Sequence, residues 1–285
     1  MAGAIGAAHL RELGDFLRTR RGELVPNDVG LRELDHRRRV SGLRREEVAQ
    51  LAAISTDYYT RIEQGRLGPT AHVLDALVRA LQLDADQADY VASLLDHATQ
   101  TSVRPGTQSG RPRQPRVRPP VRRLLDQLTE TPALVLGPRT DVLAWNSLAA
   151  KVYADFDAMD PHELNYVRLI FTDPAMRDLF TDWPSVARSC VAILRREAAA
   201  NPADPALSAL VGELTIADPQ FGKWWAARNV ARQDFGTKVL DHPVVGELVL
   251  DWEIFRYADA TDQQLVLNSA DAHSVTRQRL RILAS

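Results

Sequence analysis

Between Arg44 and Arg66 the chain sets short polar side chains at helical spacing. In TDYYTRIE, Thr56, Asp57, Thr60 and Arg61 recur at three- and four-residue steps, so a helix there shows them on its exposed face and turns Tyr59 and Ile62, with Ile54 just before it, inward. The chemistry open to such a face is hydrogen bonding: an arginine fork reaches O6 and N7 of guanine, a carboxylate accepts from cytosine N4, and threonine meets polar edges or the thymine methyl. Arg44, Arg45 and Arg66, with the run Arg37-Arg38-Arg39, suit phosphates, which position a protein on a duplex and carry the salt dependence of binding. Tyr58 has two readings, phosphate contact or core filling. Ser55 stands where an N-cap belongs, Asp57 favours the helix dipole in the first turn, and Gly65 can end the helix.

The elements that must position these residues are helical. Leu43, Val48, Leu51 and Ala52 predict a short helix over about 44–52, and the polar face belongs to a second over about 56–64. Ala53-Ile54-Ser55 leaves room only for a sharp reversal between them. Two short helices joined by such a turn make the shape that enters a DNA major groove, although the same pair can also serve as a protein-interaction module. LRELGDFLRTRRGEL precedes them, a polar gap fills 26–42, and AHVLDALVRALQL and DADQADYVASLLDHA follow as further amphipathic helices.

GLRREEVAQLAAISTDYYTRIEQGR resembles the helix-turn-helix of Cro/phage-repressor-like regulators, in the subgroup of the MmyB-like regulators. Glu47, Ala49, Ala52, Ser55, Ile62, Glu63 and Gly65 fall at the spacing of that pattern. Two positions depart from it: Ala53 replaces the usual turn glycine, and Arg45 stands where a polar residue commonly opens the first helix of the pair. The resemblance implies a double-stranded DNA operator as partner.

The chain has 285 residues, 45% hydrophobic and 25% charged, which excludes global disorder and collagen-like structure and allows two ordinary domains. Residues 103–123 carry seven arginines, five prolines and no acid, and all five tryptophans lie beyond them. This stretch reads as an exposed linker, its arginines either solvating it or meeting phosphate, between a domain over 1–102 and another over 124–285. In the second domain VRRLLDQL predicts a short helix, and PALVLG and DVLAWN a hairpin. Helices are expected over about 147–155, 161–170, 184–200 and 205–215, strands in GELVLDWEIFRY and QQLVLNSA, and a helix from about Ser274 to Leu283. The fold class is thus an all-helical domain followed by an α+β domain with an antiparallel sheet.

The resemblance continues through TPALVLGPRTDVLAWNSLAA, DWPSVARSCVAILRREAA, NPADPALSALVGELTIADPQFGKWW and HPVVGELVLDWEIF, which look like the ligand-binding domain of the MmyB-like regulators. It implies a PAS-like fold with an apolar pocket for a fatty-acid-like molecule. Trp145, Tyr166, Phe171, Phe180, Trp183, Trp224, Trp225 and Trp252 offer aromatic surface to line such a pocket or simply to fill the core. Asn146, Arg168, Arg195 and His242 are the polar anchors considered: Arg168, inside the apolar run YVRLIF, needs a carboxylate from the protein or from a ligand, and His242 serves either a turn or a ligand.

Other chemistries find no support in the sequence. G-x-S-x-G, H-E-x-x-H, the Walker A loop and G-x-G-x-x-G after a strand are missing, and the seven histidines are scattered without ligand spacing. An enzyme, a cofactor and a metal are therefore not expected. Cys190 stands alone among apolar neighbours, which favours a buried, inert thiol. No stretch approaches 18 uncharged apolar residues, so no membrane span is expected, and MAGAIGAAHLRELGDF shows no basic segment followed by an apolar core. The expected location is a reducing cytoplasm. A single short reading helix covers few base pairs, so a homodimer on two half-sites is expected. The rival reading of the second domain is a dimerisation or protein-interaction module without a small-molecule ligand.

Overall fold

The computed structural model describes residues 2–31, 42–103, 117–227, 235–257 and 260–285. These fall into two compact units: the helices before residue 104 with residues 195–205 and Ala227, and the rest of the chain from residue 117.

The first unit is built from α1 (Ala2–Glu23), α2 (Arg45–Leu51), α3 (Thr56–Glu63), α4 (Ala71–Ala80) and α5 (Ala85–Val103). The first helix starts earlier than Leu10 because Ala2, Ala4, Ala7 and Ala8 are strong helix formers. Leu13, Phe16, Leu17, Val48, Tyr59, Ile62, Leu77, Tyr90 and Leu94 meet in one core, in which the Phe16 and Tyr90 rings lie 5.3 Å apart. Where α1 crosses α3 only a glycine fits, since a Cβ on Gly14 would stand 2.5 Å from the Glu63 carbonyl oxygen.

The second unit opens with α6 (Pro119–Gln127). Residues 119–123, expected as linker, are therefore the first half of a helix. The Pro119-Pro120 pair lies in its first turn, where a missing N–H costs nothing. The grouping of residues 195–205 with the first unit likewise departs from an unbroken second domain over 124–285. It follows from the burial of Arg195 and Ala199, the latter within the helical core.

Five strands form one antiparallel sheet in the order β2-β1-β5-β4-β3: β1 (Ala133–Leu136), β2 (Val142–Trp145), β3 (Phe235–His242), β4 (Gly246–Tyr257) and β5 (Ala260–Ser269). Around it lie α7 (Ser147–Val152), α8 (Tyr166–Thr172), α9 (Pro174–Leu179), the part of α10 (Trp183–Ala200) before Arg195, α11 (Pro205–Ala217), α12 (Pro219–Ala226) and α13 (Val275–Ala284). The architecture is α+β, as expected. The helix expected from residue 161 starts at Tyr166 instead, because the Asn165 side chain accepts from the Arg168 N–H at 3.0 Å and caps it there.

Alternation along the strands divides the sheet into two faces. Ala133, Val135 and Leu265 pack with Val121 and Leu125 of α6 into an apolar cluster. Leu134, Leu136, Val266, Ile254, Trp252, Gly236 and Lys238 look the other way, toward α8 and α10.

Candidate nucleic-acid interface and ligand cavity

The α2–α3 pair has the geometry of a reading head. Ser55 Oγ accepts from the Tyr58 N–H at 3.1 Å, satisfying an orphan donor at the start of α3. Ala53 takes up the reversal between the helices with φ of 54°, the left-handed region that favours glycine. Gly65, at φ of 64°, follows the end of α3 in the same region. Tyr59 and Ile62 are fully buried, and Ser55, Thr56, Asp57 and Arg61 are exposed. Thr60 is half-buried, its hydroxyl donating to the Thr56 carbonyl at 2.7 Å. Tyr58 packs half-buried against the helical core.

Among the arginines, Arg66 is exposed and Arg44 half-buried at the start of α2. Arg45, expected at a phosphate, instead donates from Nε to Glu63 Oε2 at 2.7 Å, while Arg21 donates from Nε to Oε1 at 2.6 Å. Burial pushes the Glu63 carboxyl up, but the two guanidiniums prevail and hold it below the usual carboxylate range. This ion triad, its Glu63 buried and its Arg45 41% exposed, ties α1, α2 and α3 together and leaves Arg45 as part of the frame under α3. Arg37, Arg38 and Arg39 lie outside the described residues.

The second unit encloses a cavity of about 220 Å³ between the sheet and the helices α8 and α10. Leu134, Leu136, Ile254 and Val266 form its floor; Val167, Val186 and Ile193 face them from the helices. Tyr166 and Trp252, both expected at a ligand, lie on its wall. So does Cys190, a buried thiol that desolvation pushes up to about 12.

The other expected ligand residues are held elsewhere. Asn146 caps α7, its Oδ1 accepting from Ala149 and Ala133 N–H groups and its Nδ2 donating to the carbonyls of Leu128 and Thr131. Arg168 makes a paired contact with Glu213, Nε to Oε1 and Nη2 to Oε2, each at 2.7 Å, and borders a separate, wider depression with His162 and Glu163. Arg195 falls in the first unit, where its Nη1 lies 3.1 Å from Glu12 Oε1. His242 Nε2 stands 2.9 Å from the Lys151 carbonyl, and its Nδ1 receives the Val244 N–H, a turn role. Phe171 meets the rings of Trp183, Trp224 and Phe221 edge-on in an aromatic cluster off the cavity, where Phe221 stacks on Trp225, and Trp145 packs on Phe156.

Lys238 was not anticipated. It sits on β3 at an inward register, two residues before the buried Leu240, with its Nζ 4.9 Å from the ring centroid of Tyr153. Among the described residues it is the one charged side chain on the cavity wall. Desolvation lowers its ammonium to about 7. The signal was the two-residue alternation in GTKVLDH, which puts a lysine in line with Leu240 and His242.

No group of three or more metal-ligating side chains is placed to hold an ion, and no helix is long and apolar enough to cross a membrane, among the described residues. Two families match the chain. Residues 12–91 match a helix-turn-helix domain, and residues 117–283 match the MmyB-like transcription regulator ligand binding domain. A comparison with curated proteins gave no match.

Proposed function

Because the chain belongs to the MmyB-like transcription regulators, combining a DNA-binding helix-turn-helix domain with a ligand-binding domain, we propose that its effector is an apolar, fatty-acid-like molecule and that it acts as a homodimer on an operator of two half-sites. The observation that carries the effector reading is the cavity lined by Leu134, Leu136, Ile254, Val266 and Ile193, closed on one side by a sheet and on the other by helices. An apolar wall of this kind gains free energy by taking hydrocarbon out of water. Thr56, Asp57 and Arg61 are the proposed base-reading residues, Ser55 and Thr60 lie beside them, and Arg44 and Arg66 are the proposed phosphate contacts. The dimer reading rests on the size of α3, eight residues with its exposed side chains in the first two turns.

Native mass spectrometry of the purified full chain tests both parts. The expected result is a mass of two chains, with an added mass in the range of an acyl lipid that disappears on delipidation. A monomer with and without operator DNA contradicts the dimer. Failure of the stripped protein to answer any medium- or long-chain acyl ligand by tryptophan fluorescence contradicts the effector.

A further inference from the structure

We infer that Lys238 selects the head group of the effector: the cavity is built for an acyl chain that ends in a carboxylate, with the carboxylate placed at the Lys238 ammonium. The inference rests on the reading of the cavity as an acyl-ligand site and adds to it the charge of the ligand and the residue that recognises it.

Three hydroxyls on the wall already have partners within the protein. The Ser189 hydroxyl donates to the Ser185 carbonyl at 3.0 Å, and the Thr237 hydroxyl donates to Asp251 at 2.6 Å. Thr140 donates to the Arg139 carbonyl. These groups satisfy themselves within the protein. Lys238 does not: among the described residues no carboxylate lies within ion-pair distance of its Nζ, and its compensation is the face of the Tyr153 ring. Lys238 is half-buried, and a cation partly withdrawn from water without a counter-ion is costly, a cost that an aromatic face returns only in part. The titratable groups that face Lys238, namely Tyr153 after α7, Tyr166 on α8 and Cys190 on α10, are all raised by burial and stay neutral near pH 7. Among the described residues, no anion on the wall competes for the ammonium.

A ligand carboxylate supplies the missing partner. It restores the full charge on an amine whose proton is otherwise held weakly in this setting, and the enclosing apolar wall strengthens the pair. An alcohol or methyl ester of the same chain fills the same space and leaves the cation unpaired. The four polar residues anticipated as anchors do not meet this need, because Asn146, Arg168, Arg195 and His242 are each engaged away from the cavity.

The experiment compares decanoic acid, decan-1-ol and methyl decanoate on delipidated full-length protein, wild type and Lys238→Met, by tryptophan fluorescence and by calorimetry in two buffers of different ionisation heat. A charge-assisted hydrogen bond predicts acid binding roughly ten- to hundred-fold tighter than alcohol binding. It also predicts proton uptake with the acid and none with the alcohol. Lys238→Met is expected to lose the acid preference and the proton uptake while binding the alcohol within about two-fold of wild type, since one buried charge is exchanged for a side chain of similar volume. Lys238→Gln provides a second test should the Met variant fold poorly. Equal affinity for acid and alcohol, or undiminished acid binding by both variants, overturns the inference and leaves the cavity an acyl site. Binding of none of the three compounds by wild type overturns the acyl reading itself.

Discussion

Arg61 and Asp57 stand one turn apart on the exposed face of α3, with Arg61 Nε 3.0 Å from Asp57 Oδ2. Both side chains are more than half exposed, so the pair is worth about 0.3–0.5 kcal/mol and is cheaply exchanged for contacts with base edges. It orders the two groups proposed to read DNA without locking them. Arg61→Ala is expected to cost about 1–3 kcal/mol on the preferred duplex and to relax choice at one base position, while Arg66→Ala weakens all sequences alike and lowers the salt slope. Competition binding against single-position operator variants measures both. An unchanged preference in Arg61→Ala contradicts the proposed reading face.

The triad of Glu63 with Arg21 and Arg45 predicts an acid-sensitive frame. Its carboxyl is held below the ordinary value in the folded chain, so its stabilisation is complete above that ordinary value and is lost as pH falls through the folded one. Thermal unfolding of wild type is expected to weaken below about pH 4. Glu63→Ala strands the Arg21 guanidinium, 14% exposed, and is expected to cost about 3 kcal/mol at neutral pH while flattening this acid limb. A variant as stable as wild type contradicts the role assigned to the triad.

The turn of the reading head carries a removable strain. Ala53 sits at φ of 54°, where an L side chain is disfavoured and glycine is not. Ala53→Gly is expected to stabilise the chain by up to about 1 kcal/mol, the relief of strain exceeding the added freedom of the unfolded state. Chemical denaturation decides the sign.

Cys190 is expected to be inert in the folded protein. With its thiol pushed up to about 12, the thiolate fraction at pH 8 is about 10⁻⁴. A thiol reagent is expected to label it only in denaturant. Rapid labelling of the native chain contradicts the enclosed cavity.

Much of the reading head was legible because its signals are local. Ser55 as cap, Tyr59 and Ile62 as inward residues and Gly65 as terminator each depend on neighbours within four positions. Arg45 looked free because its partner Glu63 lies 18 residues away on another helix. In the second unit the β1–β2 hairpin and the strands β4 and β5 announced themselves through apolar runs. By contrast β3 did not, because Lys238 and Asp241 break its run; α9 and α12 each open on a proline with a single residue between it and the preceding helix, so neither stood out as a separate helix. The partner of Arg168 lies 45 residues away at Glu213, beyond reach of any local pattern. The cavity itself was legible only through Tyr166 and Trp252, since an enclosed space depends on register between strands far apart in sequence.

Occupancy of the cavity is expected to change how tightly the helix-turn-helix grips its operator. The measurement that tests this most directly starts with a duplex selected from a random pool by the full-length, delipidated protein. Its dissociation constant is then followed by fluorescence anisotropy at fixed salt as decanoic acid is raised to saturation, with tryptophan emission monitoring occupancy. A ligand that binds the two conformations unequally is expected to move the operator affinity by about 5- to 150-fold. An operator affinity that stays the same while the cavity fills contradicts the account.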